Sequence, residues 1–462
     1  MKVTFIGGGS LRLLPILRGI FAEVPGFFRG GEIRLMDLAP ERAEAVGRMI
    51  LSCPEYADIG CKVIWTDDLD ASLKGTDVLY LTMGARRQPD SAQAVFIGSR
   101  HGYFSSDNLS VNGAFLALRL GRTIFDIARR LEKLSPSALM LIFANPVAVY
   151  SHLVNTHTRI RALGICGGYN NHRYDLTRLC GRDAFDPNWN VVAAGVNHLS
   201  FILRGEKDGR DLFTEILPRR LADGWTPPEI RHSDGNVRDN IRNALLILHR
   251  MYRRYGTLIF STEFDGLAHV FPDTMLDWQR KNAGDESLFD PAACGRAWRG
   301  KVRRDFANFM AASKEPGTVD WNAGNAFFGK TVSDVTVPIF RALGGYGKAR
   351  IVATRPNRGA VRGFGDDMPL EYTMDIDGAE IRPVDDQFLP PPFFGLAASL
   401  SEFQRLVSEA IAARSPELFA DALDAYPVHR FGRERGKFFR EMFDLFSDID
   451  PEMLSAKKYF NT

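Results

Sequence analysis

The sequence predicts an α/β protein, with a doubly wound parallel sheet over residues 1–195 and an α+β domain over residues 196–462. Three observations predict it. Short apolar runs alternate with amphipathic stretches through roughly the first 200 residues. Several runs are almost continuously apolar, as strands buried on both faces must be. Glycines end the first run, where a strand meets a helix.

In chain order the strand runs are VTFIG (3–7), EIRLMD (32–37), KVIWTDD (62–68), DVLYLTM (77–83), ALMLIFA (138–144), ALGICGG (162–168) and NVVAAGV (190–196). The clearest helix lies between the fourth and fifth, Ala114 to Leu134. There Leu116, Leu120, Ile124, Ile127 and Leu131 recur at three- and four-residue spacing. Beyond about residue 200 the texture changes. Residues 238–255 and 301–313 read as helices, and 350–390 as a β-rich stretch turning at Asp377-Gly378. LPPPFFG (389–395) reads as a rigid connector with two helices after it.

Composition narrows the function. A chain of 462 residues exceeds what one core usually serves. Its 45% apolar and 25% charged residues exclude disorder and coiled coil as the dominant state. Lys plus Arg (58) against Asp plus Glu (56) gives +2, which gives no sign of a nucleic-acid partner. Five scattered cysteines without a CxxC pair argue against a disulfide framework and for a reducing cytoplasm. The opening MKVTFIGGGS lacks a signal-peptide core. The uncharged stretch 134–158 is interrupted by Asn145-Pro146, so it reads as strand, turn and helix instead of a membrane span. A cytoplasmic protein with no membrane partner is expected, as a homodimer or homotetramer.

Chemistry gathers at the ends of the strand runs. Gly7, Gly8, Gly9 and Ser10 let the backbone approach a pyrophosphate at a helix N-terminus, although Leu13 stands where the full G-x-G-x-x-G has its last glycine. Asp37, ending the second run, suits the adenosine ribose hydroxyls of NAD; its ordinary alternative is a cap for the helix at Pro40. These features make the sheet Rossmann-type. Cys166 in GICGG and His198 in GVNHLS each follow an apolar run, and a thiolate with an imidazole can share a borderline divalent ion. Asn145 and Asn197 add polar groups to the same sheet edge.

The order GGGS, NP after a strand, GxC and then GxNH resembles the NAD- and metal-dependent family 4 glycoside hydrolases, across most of the chain. The resemblance extends to GYFSSDNLSVNGAFLALRLGRTIFDIARRLEKLSPSALMLIFANPVAVY, to TRPNRGAVRGFGDDMPLEYTMDIDGAEIRPV and to FADALDAYPV. It implies hydrolysis of a small glycoside, with 6-phosphorylated and sugar-acid substrates both left open, without the usual carboxylate pair. NAD⁺ takes hydride from sugar C3, which acidifies the C2 proton. A divalent metal, typically Mn²⁺, steadies the enediolate. A base removes the C2 proton, the aglycone leaves, water adds, and hydride returns.

Under that resemblance Cys166 and His198 match the metal ligands and Asn145 the asparagine that contacts sugar and cofactor. Ser106-Asp107-Asn108 replaces the family's Gln-Glu-Thr, so Asp107 is the candidate acid. Arg86, Arg87 and Asn197 are candidate substrate contacts. The base is sought in residues 255–273, read as a loop over a cleft, with Asp265 leading and His269 and Tyr255 behind it. The runner-up function is an NAD-dependent dehydrogenase of a sugar acid or 2-hydroxy acid, with His198 as its catalytic imidazole.

Overall fold

The computed structural model describes residues 1–84, 90–231, 235–260, 265–283, 291–321, 335–428 and 435–460. The first half alternates strands and helices. It runs β1 (Lys2–Ile6), α1 (Leu13–Glu23), β2 (Glu32–Met36), α2 (Pro40–Ser52), β3 (Lys62–Thr66), α3 (Leu69–Leu73) and β4 (Val78–Leu81). It continues with α4 (Asp90–Arg100), α5 (Val111–Leu134), β5 (Leu139–Ile142), α6 (Val147–His157), β6 (Arg161–Ile165) and α7 (Gly168–Leu179). Apolar runs became strands because both faces are covered; Leu79, Leu81, Leu141 and Ile142 are fully buried.

The second half opens with a hairpin, β7 (Asn190–Val196) and β8 (Leu199–Lys207), then β9 (Arg210–Asp211), α8 (Leu217–Arg220), α9 (Asp239–Tyr255) and β10 (Leu258–Ile259). The helices α10 (Asp265–Val270), α11 (Pro272–Ala283), α12 (Pro291–Ala312) and α13 (Thr336–Leu343) precede three strands. Those are β11 (Ala349–Pro356), β12 (Pro369–Asp377) and β13 (Glu380–Pro383). The chain closes with α14 (Pro391–Ala413), α15 (Pro416–Ala425), α16 (Arg435–Leu445) and α17 (Pro451–Leu454).

Both halves share one sheet. Its order is β3-β2-β1-β4-β5-β6-β11-β12-β7-β8-β10, with β13 beside β12 and β9 beside β8. The six strands from β3 to β6 are parallel. Every pairing from β6 onward is antiparallel. Second-half helices also cover the first half, since α14 packs on α5 and α6, and α13 packs on α1. No described helix is long and apolar enough to cross a membrane.

Four sequence expectations need correction. The run 190–196 is a strand, but not of the parallel sheet. A two-residue turn joins β7 to β8, and only antiparallel neighbours can be joined so. The boundary at 195/196 therefore cuts β7, and the change of architecture lies between α7 and β7. The described residues of the segment 255–273 are not a loop: they form β10, α10 and the start of α11, with Leu267 and Ala268 buried. Pro391 and Pro392 open α14 instead of forming a connector, because prolines fit a first helical turn. More than two helices follow them.

Candidate active site

Two cavities lie side by side over the carboxyl ends of the parallel strands, where sheets of this kind bind ligands. The first, about 560 Å³, is lined by Gly7, Gly9, Ser10, Asp37 and residues of α5. Gly7 takes a positive φ of 82°, and a Cβ there would stand 2.8 Å from the Thr82 carbonyl oxygen. Gly8 faces away from the cavity: a Cβ would lie 2.7 Å from the backbone of β2, so this glycine permits close packing of strand on turn. The Asp37 carboxylate accepts from the Gly9 N–H at 2.9 Å and the Ala39 N–H at 3.0 Å. Each oxygen keeps a further lone pair for a ribose hydroxyl. Glycine turn and carboxylate thus fit a dinucleotide.

The second cavity, about 550 Å³, shares Thr82, Met83 and Gly84 with the first. Asp107, Asn145, Cys166 and His198 all line it. Cys166 follows β6 directly. His198 reaches it from the turn of the β7–β8 hairpin, where it holds a φ of 70°. Its Nε2 lies 3.5 Å from the Cys166 Sγ, and its Nδ1 lies 2.8 Å from Asp265 Oδ1. Burial alone would lower the proton affinity of this imidazole. The charges of Asp265 and Cys166 reverse that and hold it well above the ordinary histidine value. A carboxylate behind one nitrogen and a thiol before the other is the donor set of a metal-binding histidine. Thiolate and imidazole together suit a borderline divalent ion, with room left for substrate oxygens.

The predicted residues separate on this geometry. Asp107, Asn145, Cys166 and His198 converge. Asp265 is only 1% exposed and reaches the site through His198, not through the cavity. His269 is buried between the Asp265 carbonyl oxygen (2.7 Å) and the Tyr426 hydroxyl (2.9 Å). Tyr255 packs edge-on against Phe393, at 4.9 Å between centroids. Neither His269 nor Tyr255 lines the cavity, so neither is placed to take a substrate proton. For His269 the reason is α10, whose single turn and a half swings the side chain into the core; Tyr255 instead ends α9 and is half-buried. Asn197, expected at the substrate, is instead 1% exposed and bonded to Asn108 and Glu371. Arg86 and Arg87 lie outside the described residues, as does Glu263.

Sequence reasoning missed several lining residues. Arg12 lies over the Phe143 ring, 3.8 Å from its centroid, in the wall of the second cavity. Asn170, Asn171 and Tyr174 project from the first turns of α7. Their signal was available, because they begin the helix that follows the cysteine strand. A different group of possible ligands, His152, His157 and Glu409, has its donor atoms within 4.8 Å of one another. There His157 pairs with Glu409 at 3.2 Å and His152 bonds Ser408 at 2.8 Å, beside the Arg405 charge. A neighbouring cation opposes a metal ion, so this group reads as a hydrogen-bonded His157–Glu409 pair beside a buried imidazole.

Sheet order, glycine turn and paired cavities define a Rossmann-type α/β protein of the dehydrogenase-like class. The model of the family 4 glycosyl hydrolases matches residues 2–180, and that of their C-terminal domain matches residues 193–428. The chain belongs to that family. It is 27% identical over 223 residues to an alpha-galactosidase of Bacillus subtilis, 47% of this chain and 50% of the relative. The chain thus matches about half the length of that relative. An alpha-galacturonidase of Thermoanaerobacter italicus is 21% identical over 96% of each chain. A crystal structure of a 6-phospho-alpha-glucosidase from gut microorganisms, in complex with NAD and Mn²⁺, superposes with a TM-score of 0.75. It is 18% identical and the match covers 96% of this chain and 97% of that one, a likeness of fold.

Proposed function

We propose that the protein hydrolyses a small glycoside by oxidation, elimination, addition and reduction, with NAD and a divalent cation such as Mn²⁺. One observation carries the reading: the Cys166 thiol and the His198 Nε2 meet at 3.5 Å in a cavity that adjoins the glycine turn. When bound, the dinucleotide supplies a reversible hydride acceptor and the cation a Lewis acid for negative charge on the sugar. Family membership and the relatives' glycosidase names support it.

In this reading Cys166 and His198 hold the cation. Asp265 accepts the Nδ1 proton of His198 and so keeps Nε2 directed at the cation. Asp107, on the cavity wall, protonates the departing oxygen, and Asn145 orients sugar hydroxyls. Gly7, Gly9, Ser10 and Asp37 hold the dinucleotide.

The test is a panel of aryl glycosides with Mn²⁺ and NAD⁺, following aglycone release and absorbance at 340 nm together. Aglycone release that requires both additions, with no net NADH, is expected. The His198–Asp265 pair also suits a dehydrogenase, whose imidazole needs a carboxylate behind it. Stoichiometric NADH without aglycone release would favour that second reading.

A further inference from the structure

We propose that Glu371 is the positioning residue of this site, a buried carboxyl to which the segments bearing Asp107 and His198 are tied and against which the helix following Cys166 packs. The inference rests on the glycosidase reading and deepens it. Glu371 lies in β12, opposite Thr354 of β11 and Gly195 of β7, and is 1% exposed. It does not line the cavity, so it touches no reacting atom.

Three connections radiate from it. Glu371 Oε1 accepts from Asn197 Nδ2 at 2.7 Å, and Asn197 immediately precedes His198. The Asn197 Oδ1 in turn accepts from Asn108 Nδ2, and Asn108 immediately follows Asp107. Both asparagines are 1% exposed. Gly168, two residues after Cys166, opens α7 against the same carboxyl: a Cβ there would lie 3.5 Å from either oxygen. Ser200, also near the carboxyl, bonds His172 Nε2 at 2.9 Å.

The chemistry suits a tether. Burial raises the proton affinity of Glu371, and its Oε1 accepts from Asn197. The Asn108–Asn197–Glu371 bonds favour one arrangement of these segments, because breaking either leaves its donor or acceptor unpaired in a buried place. Asp107 and His198 come from segments 91 residues apart that share no strand pairing. Asn108–Asn197 is the bond that joins them, and Glu371 anchors it to the sheet.

The experiment uses the full-length protein and measures Mn²⁺ affinity without substrate alongside kcat for aryl glycosides with good and poor leaving groups. Glu371→Gln retains an acceptor for Asn197 and should keep Mn²⁺ affinity within about threefold of the parent. Glu371→Leu should fold yet lose roughly 10- to 100-fold in Mn²⁺ affinity, as removal of an outer-shell partner does. Asn108→Ala cuts the acid arm alone. It should leave Mn²⁺ affinity unchanged while the kcat ratio of poor to good leaving groups falls about tenfold, and this variant decides if Glu371→Leu does not fold. Parent Mn²⁺ affinity in folded Glu371→Leu, or an unchanged leaving-group ratio in Asn108→Ala, would overturn the proposal. A parent protein that binds Mn²⁺ but cleaves no glycoside would instead overturn the glycosidase reading.

Discussion

Cys166 and Asp37 carry the two cofactor assignments, and each can be tested alone. Cys166→Ser exchanges a soft donor for a weak one and leaves His198 in place. It should fold as the parent does while metal-dependent activity is lost. Full activity of this variant in chelator-treated solution would move the metal elsewhere. Asp37→Ala removes the acceptor of the Gly9 and Ala39 N–H groups and, in the proposed reading, that of the cofactor ribose. Titration should show NAD binding weakened by about 1–3 kcal/mol, the cost of charge-assisted bonds left unmade. Unchanged affinity would place the ribose away from this carboxylate.

The hairpin turn and α10 act as one unit. A Cβ at Gly266 would fall 1.7 Å from the His198 carbonyl oxygen, so the first turn of α10 rests directly on the turn that presents the imidazole. That contact delivers Asp265 to Nδ1. Gly266→Ala must push α10 away, and overpacking of this kind costs roughly 1–3 kcal/mol. Unfolding in urea should register that loss, and Mn²⁺ affinity should fall with it. Gly317→Ala, where nothing lies within 4 Å of the new methyl, is the matched control and should change neither. Equal behaviour of the two variants would show that α10 does not brace the hairpin.

One sheet and several deeply buried histidines shape the response of the whole chain to acid. Burial lowers His152 and His172 from 6.5 to about 3, so both are neutral in the fold. The unfolded chain binds these protons more readily. Their stabilising contribution is therefore complete above about pH 6.5 and is lost as pH falls toward 3. Between pH 7 and pH 5 the loss is on the order of 2 kcal/mol per histidine. Urea unfolding at the two pH values should show it, and His152→Gln or His172→Gln should each reduce the difference. A pH dependence untouched by both substitutions would assign acid sensitivity to other groups. The shared sheet also predicts that residues 1–189 alone are insoluble, since β6 would lose β11 and become an open edge.

The parallel strands were legible because burial on both faces demands continuous apolar runs, and such runs are visible in one dimension. The glycine turn, Asp37 and Cys166 could be singled out as candidates because strand ends in a wound sheet are where ligands bind, whereas His198 stood at the end of a run that proved to be a hairpin strand. Strand direction was not legible at 190–196, since an apolar run reads alike both ways and only its partners decide its sense. Asp265 and His269 share a helix of six residues, which carries too little periodicity to show which way each side chain turns. Glu371 left no trace at all. A lone carboxylate between Leu370 and Tyr372 looks like a solvent-facing strand position, and its meaning arises only where Asn197 and Gly168, distant in sequence, fold against it.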